Sequence, residues 1–248
     1  MTEVAEETAP AIITDIDVVA SCDYDGASLA GIHQRLAERE ILPDEQAVDR
    51  GYVCGQTIGE SKARGVALIG YVQDNVSATA KAAAGFSLDK FELDFENKKA
   101  VCPQGHQAER WNESPVRDSK KIFIQIGWNK AVCDQCPFRV ECVQGSKYGR
   151  VIKVSNYYPH IADNRSKQAS EEFKDKYRRR AGVEASLSLV VRKGGRRTPY
   201  RGRKKTSLRF LMLAVGINLQ RAVAWLAGQF PKRQRTAALH KLMPAISA

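Results

Sequence analysis

After Glu184 the sequence holds no aspartate or glutamate, although fourteen lysines and arginines follow. The chain has 39 basic and 28 acidic residues in all, so everything up to Glu184 is close to neutral and the net charge of +11 sits in the last quarter. Long apolar runs are missing too. None approaches the ~20 residues of a membrane span, and the best candidate, LRFLMLAVGINLQRAVAWLAG, is cut by Arg209 and Arg221, which argues against a membrane partner. Nor does the front, MTEVAEETAPAIITDID, carry the basic stretch and apolar core of a secretory signal; it is acidic, and the expected location is the cytoplasm. In a reducing compartment Cys22, Cys54, Cys102, Cys133, Cys136 and Cys142 are read as free thiols or metal ligands before disulfides. There is no internal repeat.

A length of 248 residues, 43% hydrophobic and 27% charged, suits one large domain or a domain carrying an insertion. A basic block beside a near-neutral body is the footprint of a polyanion binder, because each Lys or Arg that meets a phosphate releases condensed counterion. Nucleic acid is the expected partner, against the plainer alternative of a solvated tail.

Hydrophobic periodicity divides the chain into four stretches. Residues 1–75 alternate strand and helix: AIITDIDVVA and VALIGYV are β-rich, SLAGIHQRLAERE and GQTIGESKARG are helical, and EQAVD is a short strand. This is α/β alternation. Residues 76–168 read as a β-rich insertion with a cysteine cluster, built on FSLDKFELDFENKKAVCP and KKIFIQIGW. Over 169–227 a helix is expected from Ser170 through Glu184, then the Gly- and Arg-rich loop RKGGRRTPYRGRKKT and an apolar helix over 207–227. Residues 228–248 read as a loose basic tail.

Two carboxylates stand out. On one continuous helix, Phe173, Tyr177, Arg180, Glu184, Leu187 and Val191 share a face, which would put Glu184 on the inward stripe. A carboxylate there is costly unless a cation or metal meets it, although an Arg180–Glu184 pair at i, i+4 would be an ordinary surface feature. Asp49 ends the EQAVD strand before a glycine turn, the place where α/β folds present ligands; Asp before Gly is also common turn chemistry.

The ordered motifs AVDRGYV, CPQGH, CDQCPFRVEC, YRRRAGVEASLSLVVR, YRGRKKTSLR and AVGINLQRAVAWLAG, spanning roughly positions 10 to 228, resemble the C-terminal portion of a DDE transposase from a bacterial insertion sequence. The resemblance implies an RNase H-like mixed sheet with flanking helices, interrupted by the cysteine-containing insertion, and an acidic triad holding two divalent metals, Mg2+ or Mn2+. It matches Asp49 to the second acid and Glu184 to the third, inside a tyrosine, arginine, glutamate signature met by Tyr177, Arg180 and Glu184. Some relatives continue to a lysine seven residues later, where this chain has Val191. The first acid of such enzymes lies on an opening strand; here the match begins after that strand, Asp15 and Asp17 are poor substitutes, and the expectation is an N-terminally truncated chain, inactive or nearly so alone. Implied partners are double-stranded DNA, at element ends and target, and further copies of the chain in a homo-oligomer on DNA. Arg192, Lys193, Arg196, Arg197, Arg201, Lys204 and Lys205 are candidates to line the DNA path, with Tyr200 stacking or packing.

Cys133 and Cys136 form a CxxC, Cys142 follows shortly, and Cys102 opens the CPQGH turn. Four thiolates can close a tetrahedral structural Zn2+ site, with His106 as an alternative to Cys142; small buried thiols or a redox pair are the plainer account. From the residues, two functions remain: a metal-dependent DNA transposase, and a non-catalytic zinc-stapled nucleic-acid-binding protein.

Overall fold

The computed structural model describes residues 1–6, 9–20, 22–77, 80, 85–143 and 147–229; the expected basic tail, past Gln229, lies outside the described residues. In chain order the elements are β1 (Thr2–Glu3), β2 (Ile13–Asp15), α1 (Leu29–Ala37), β3 (Glu45–Ala47), α2 (Gly55–Lys62), β4 (Ala67–Ile69), β5 (Glu92–Asp94) and β6 (Lys99–Val101). They continue with β7 (Arg110–Pro115), β8 (Ile122–Gly127), α3 (Lys130–Gln135), α4 (Arg139–Cys142), β9 (Val151–Ser155) and α5 (Tyr158–Lys167). The last three are α6 (Glu171–Arg178), α7 (Ala181–Val190) and α8 (Arg203–Leu226). The class is mixed α/β, and the described strands form four small sheets.

Packing divides the chain into two compact units, Ala20–Arg180 and Met1–Val19 with Ala181–Ala248. In the first, β3, α2 and β4 make a βαβ unit whose strands pair in parallel, Glu45 against Ala67 and Ala47 against Ile69. Leu29, Ile32, His33 and Leu36 recur at helical spacing and form the buried face of α1. Leu29 joins Val48, Val53, Val66, Leu68 and Val72 in one apolar cluster. Cys54 caps α2: its sulfur accepts from the Thr57 amide, while the Thr57 hydroxyl accepts from the Cys54 amide. Glycine lets α2 lie against the start of α5, since a Cβ on Gly55 would stand 2.7 Å from the Tyr157 carbonyl oxygen.

The second half of this unit is antiparallel. β5 pairs with β6, and β8 is the middle strand of β7-β8-β9. In IFIQIG alternate residues point to one face, so Ile124 and Ile126 are buried with Ile152, Val154, Phe91, Ala100 and Trp128. The strand in KKIFIQIGW was legible from this alternation; RWNESP was not, and neither VIKVS, although it alternates, nor α5 was among the expected elements.

In the other unit, β1 pairs antiparallel with β2, and Ile13, Val190, Ala214 and Ile217 form the core with Phe210 and Leu213 packed on it. Asn218 of α8 holds the edge of β2 as a strand would: its amide oxygen accepts from the Ile13 N–H at 2.8 Å and its NH2 donates to the Ile13 carbonyl at 2.9 Å.

The single helix expected from Ser170 through Glu184 is two helices, α6 and α7, separated by a turn at Arg179 and Arg180. The shared face read from the sequence does not survive this break, because a turn resets the angular register. Phe173 is buried, but Glu184, Leu187 and Val191 are exposed, and Ser186 and Val190 take the inward positions of α7. Glu184 is therefore not on the inward stripe.

Candidate functional site

Asp49 follows β3 and caps the 3-10 turn Arg50–Tyr52; its Oδ1 accepts the Arg50 N–H at 2.8 Å. The side chain is 63% exposed, and the guanidinium of Arg180 stands 4.0 Å from the same oxygen. A pair so wet contributes about 0–1 kcal/mol, so Arg180 orients the carboxylate more than it binds it. Arg180 is itself positioned by aromatics. Its guanidinium lies over the Tyr177 ring at 5.3 Å; Tyr177 packs edge-on against Tyr71 at 4.7 Å and stacks on Phe173. Lys176 pairs with Glu45 at 2.7 Å and ties α6 to β3. Three of the four residues assigned to the acidic site and its signature, Asp49, Tyr177 and Arg180, are thus brought together within the unit Ala20–Arg180.

The fourth, Glu184, is carried by the other unit, exposed in the first turn of α7. Among the described residues this unit buries two carboxylates, Asp15 in β2 and Glu3, and nothing in the sequence pointed to Glu3. Glu3 has a side chain only 2% exposed, accepts the Ser186 hydroxyl, and pairs with Arg221 at 3.3 Å. Nothing in the acidic N-terminal segment singles out Glu3, because its partners are 183 and 218 positions away. Asp25 was also passed over: its Oδ2 stands 3.4 Å from where a Cβ on Gly51 would be. Burial, then the charges of Asp25 and Asp49, raise the Tyr52 phenol above its ordinary pKa.

The basic segment runs through an irregular helical turn, Val191–Gly195, into α8, with Gly194 and Gly202 at φ of 88° and 93°. Arg192, Lys193, Arg196, Arg197, Tyr200, Arg201, Lys204 and Lys205 are all exposed. Arg209 donates to the Gly194 carbonyl at 2.6 Å and fixes the turn to α8. Arg203, Lys204 and Lys205 occupy the first turn of α8, where cations oppose the helix dipole and an anion would be favoured.

Cys102, Cys133, Cys136 and Cys142 are free thiols, each half-buried. All four line one cavity, together with His106, Trp128 and Arg150. Burial pushes the Cys142 thiol up; Arg150 opposes the shift, and Cys133, Cys102 and Cys136 add to it. Among the described residues, no group of three or more His, Cys, Asp or Glu side chains already stands gathered to hold a metal ion.

Residues 101–223 match the transposase DDE domain family. The chain resembles a DDE-type transposase. The matched stretch contains the four clustered cysteines, Tyr177, Arg180, Glu184 and the basic segment, and it begins after Asp49. Transposases act on DNA, and their DDE domains generally use divalent metal ions. No curated protein and no solved structure matches the chain. None of the described helices is long and apolar enough to cross a membrane.

Proposed function

We propose that this chain is a DDE-type DNA transposase with an RNase H-like core, in which Asp49 and Glu184 hold divalent metal, Mg2+ or Mn2+, for cleavage and strand transfer of an insertion sequence. The match of residues 101–223 to the transposase DDE domain carries this reading. Asp49 suits a hard cation: one oxygen is engaged by the Arg50 amide, and the exposed carboxylate leaves its other oxygen to a ligand. When bound, paired divalent ions activate the attacking oxygen and steady the leaving one in an in-line displacement.

The residues have separate tasks. Asp49, held by its turn and oriented by Arg180, supplies a negative oxygen without a costly reorganisation. Glu184 supplies the second carboxylate. Arg192, Lys193, Arg196, Arg197, Arg201, Lys204 and Lys205 fix the phosphate backbone without reading sequence, and Tyr200 stacks or packs beside them. Water and then a 3′-hydroxyl act as nucleophiles, so no side chain need form a covalent bond with DNA. The chain works on double-stranded DNA as a homo-oligomer.

The second reading, a non-catalytic zinc-stapled nucleic-acid-binding protein, draws support from the exposed lysines and arginines between positions 192 and 205, which can hold phosphate without any chemistry. Titration with Mn2+ followed by electron paramagnetic resonance separates the two. The transposase reading expects Asp49→Ala and Glu184→Ala each to weaken Mn2+ binding at least tenfold. Unchanged Mn2+ affinity in both variants would leave the binder standing.

A further inference from the structure

The four clustered cysteines come from three separate places in the unit Ala20–Arg180. Cys102 follows β6, Cys133 and Cys136 lie in α3 and at its end, and Cys142 closes α4. Their shared cavity has a volume of about 30 Å³, room for a water-sized occupant. Its rigid wall is the sheet core: Trp128 is 1% exposed, and its indole N–H donates to the His106 carbonyl at 2.9 Å. That carbonyl also accepts the Cys102 N–H at 2.9 Å, so the CPQGH turn is folded back onto the sheet.

Two features are those of a place built for negative sulfur. The Arg150 N–H donates to the Cys133 sulfur at 3.4 Å. The Arg150 guanidinium donates to the carbonyls of Cys142 and Phe86, yet its Nε is buried and has no acceptor among the described residues. A buried donor left over beside four thiols is a cost unless those thiols become thiolates.

We propose that Cys102, Cys133, Cys136 and Cys142 form a structural, tetrahedral four-thiolate zinc site, with Arg150 as its counter-cation. The thiols are not already gathered, so binding draws them inward onto the cavity, and each ligated thiol releases its proton to solvent. The resulting centre carries excess negative charge, which Arg150 offsets. His106 is not a ligand: its side chain is exposed, whereas the four cysteines are half-buried. The metal would join the turn after β6 to α3 and α4, which are too short to hold themselves in place. This site is separate from the carboxylates of the transposase reading.

The test uses the full chain, purified without chelator. Elemental analysis is expected to give about one zinc per chain, and Co2+ exchanged into the site is expected to give sulfur-to-metal charge-transfer absorption. His106→Asn should keep the metal, and Cys102→Ser and Cys142→Ser should each lose it. Zinc far below stoichiometry, or a Cys133–Cys136 disulfide found by mass spectrometry in the wild-type protein, overturns the proposal without any variant having to fold. Loss of metal in His106→Asn, or its full retention in Cys142→Ser, overturns the ligand set.

Discussion

Replacing Arg221 with methionine tests whether the unit Met1–Val19 with Ala181–Ala248 is held by a buried charge. Arg221 reaches three groups: Glu3 at 3.3 Å, the Ala11 carbonyl and the Ser186 hydroxyl. Glu3 is 2% exposed and would lose a charged partner while keeping the Ser186 hydroxyl as a donor. Removing one member of a buried pair costs about 3–5 kcal/mol, because the other charge stays buried without its partner. The Arg221 side chain is 23% exposed, so water can partly reach the vacated position and the lower end applies, about 3 kcal/mol. For a chain of this size that is a drop in midpoint of roughly 6–12 °C. Thermal and urea denaturation followed by circular dichroism would measure it. Neutralising the acid as well, in Glu3→Gln with Arg221→Met, should cost at least ~1 kcal/mol less than the two single losses together, because contacting residues couple. An Arg221→Met protein within about 0.5 kcal/mol of wild type, or an additive cycle, would refute this account of the unit.

Two further outcomes are expected. His33 is buried and its Nε2 donates to Gln46 at 2.7 Å; burial pushes its pKa below the ordinary 6.5. As pH falls below about 6.5 the unfolded chain takes up a proton before the folded one does, so stability drops on acidification. Urea midpoints at pH 7 and 5.5 should differ less in His33→Gln than in wild type, and an equal difference would remove His33 as the cause. In the basic segment, Arg196→Glu with Arg197→Glu should reduce the slope of log K against log salt for duplex DNA by about 2, as expected for two lost phosphate contacts. An unchanged slope would make these arginines a solvated loop.

The fold was legible wherever a pattern is local. Alternation in IFIQIG marked β8, helical spacing marked α1, and GQTIGESKARG contained α2, because a period of two or 3.6 needs only a neighbouring element to bury against. VIKVS alternates as well but was overlooked, and RWNESP carries almost no apolar signal because β7 is an exposed edge of its sheet. At the site, Asp49 was picked out by its place between a strand and a glycine turn, and the structure bears out that local setting. The role of Arg180 beside it depends on an aromatic stack that joins Tyr71 to Phe173 and Tyr177, residues about a hundred positions apart in the chain.

By itself the sequence determined the split between a near-neutral body and a basic end, the mixed α/β class, the turn that presents Asp49, and the CxxC pair. Those depend on composition and on neighbours along the chain. Only the tertiary structure decided that a helix drawn through Glu184 breaks at Arg179 and Arg180, turning that glutamate outward. It also decided that Glu3 is buried against Ser186 and Arg221, and that Cys102 and Cys142 join Cys133 and Cys136 around one cavity. Burial and charge pairing are settled by residues that meet across long stretches of chain, where no periodicity along the sequence records which partner arrives.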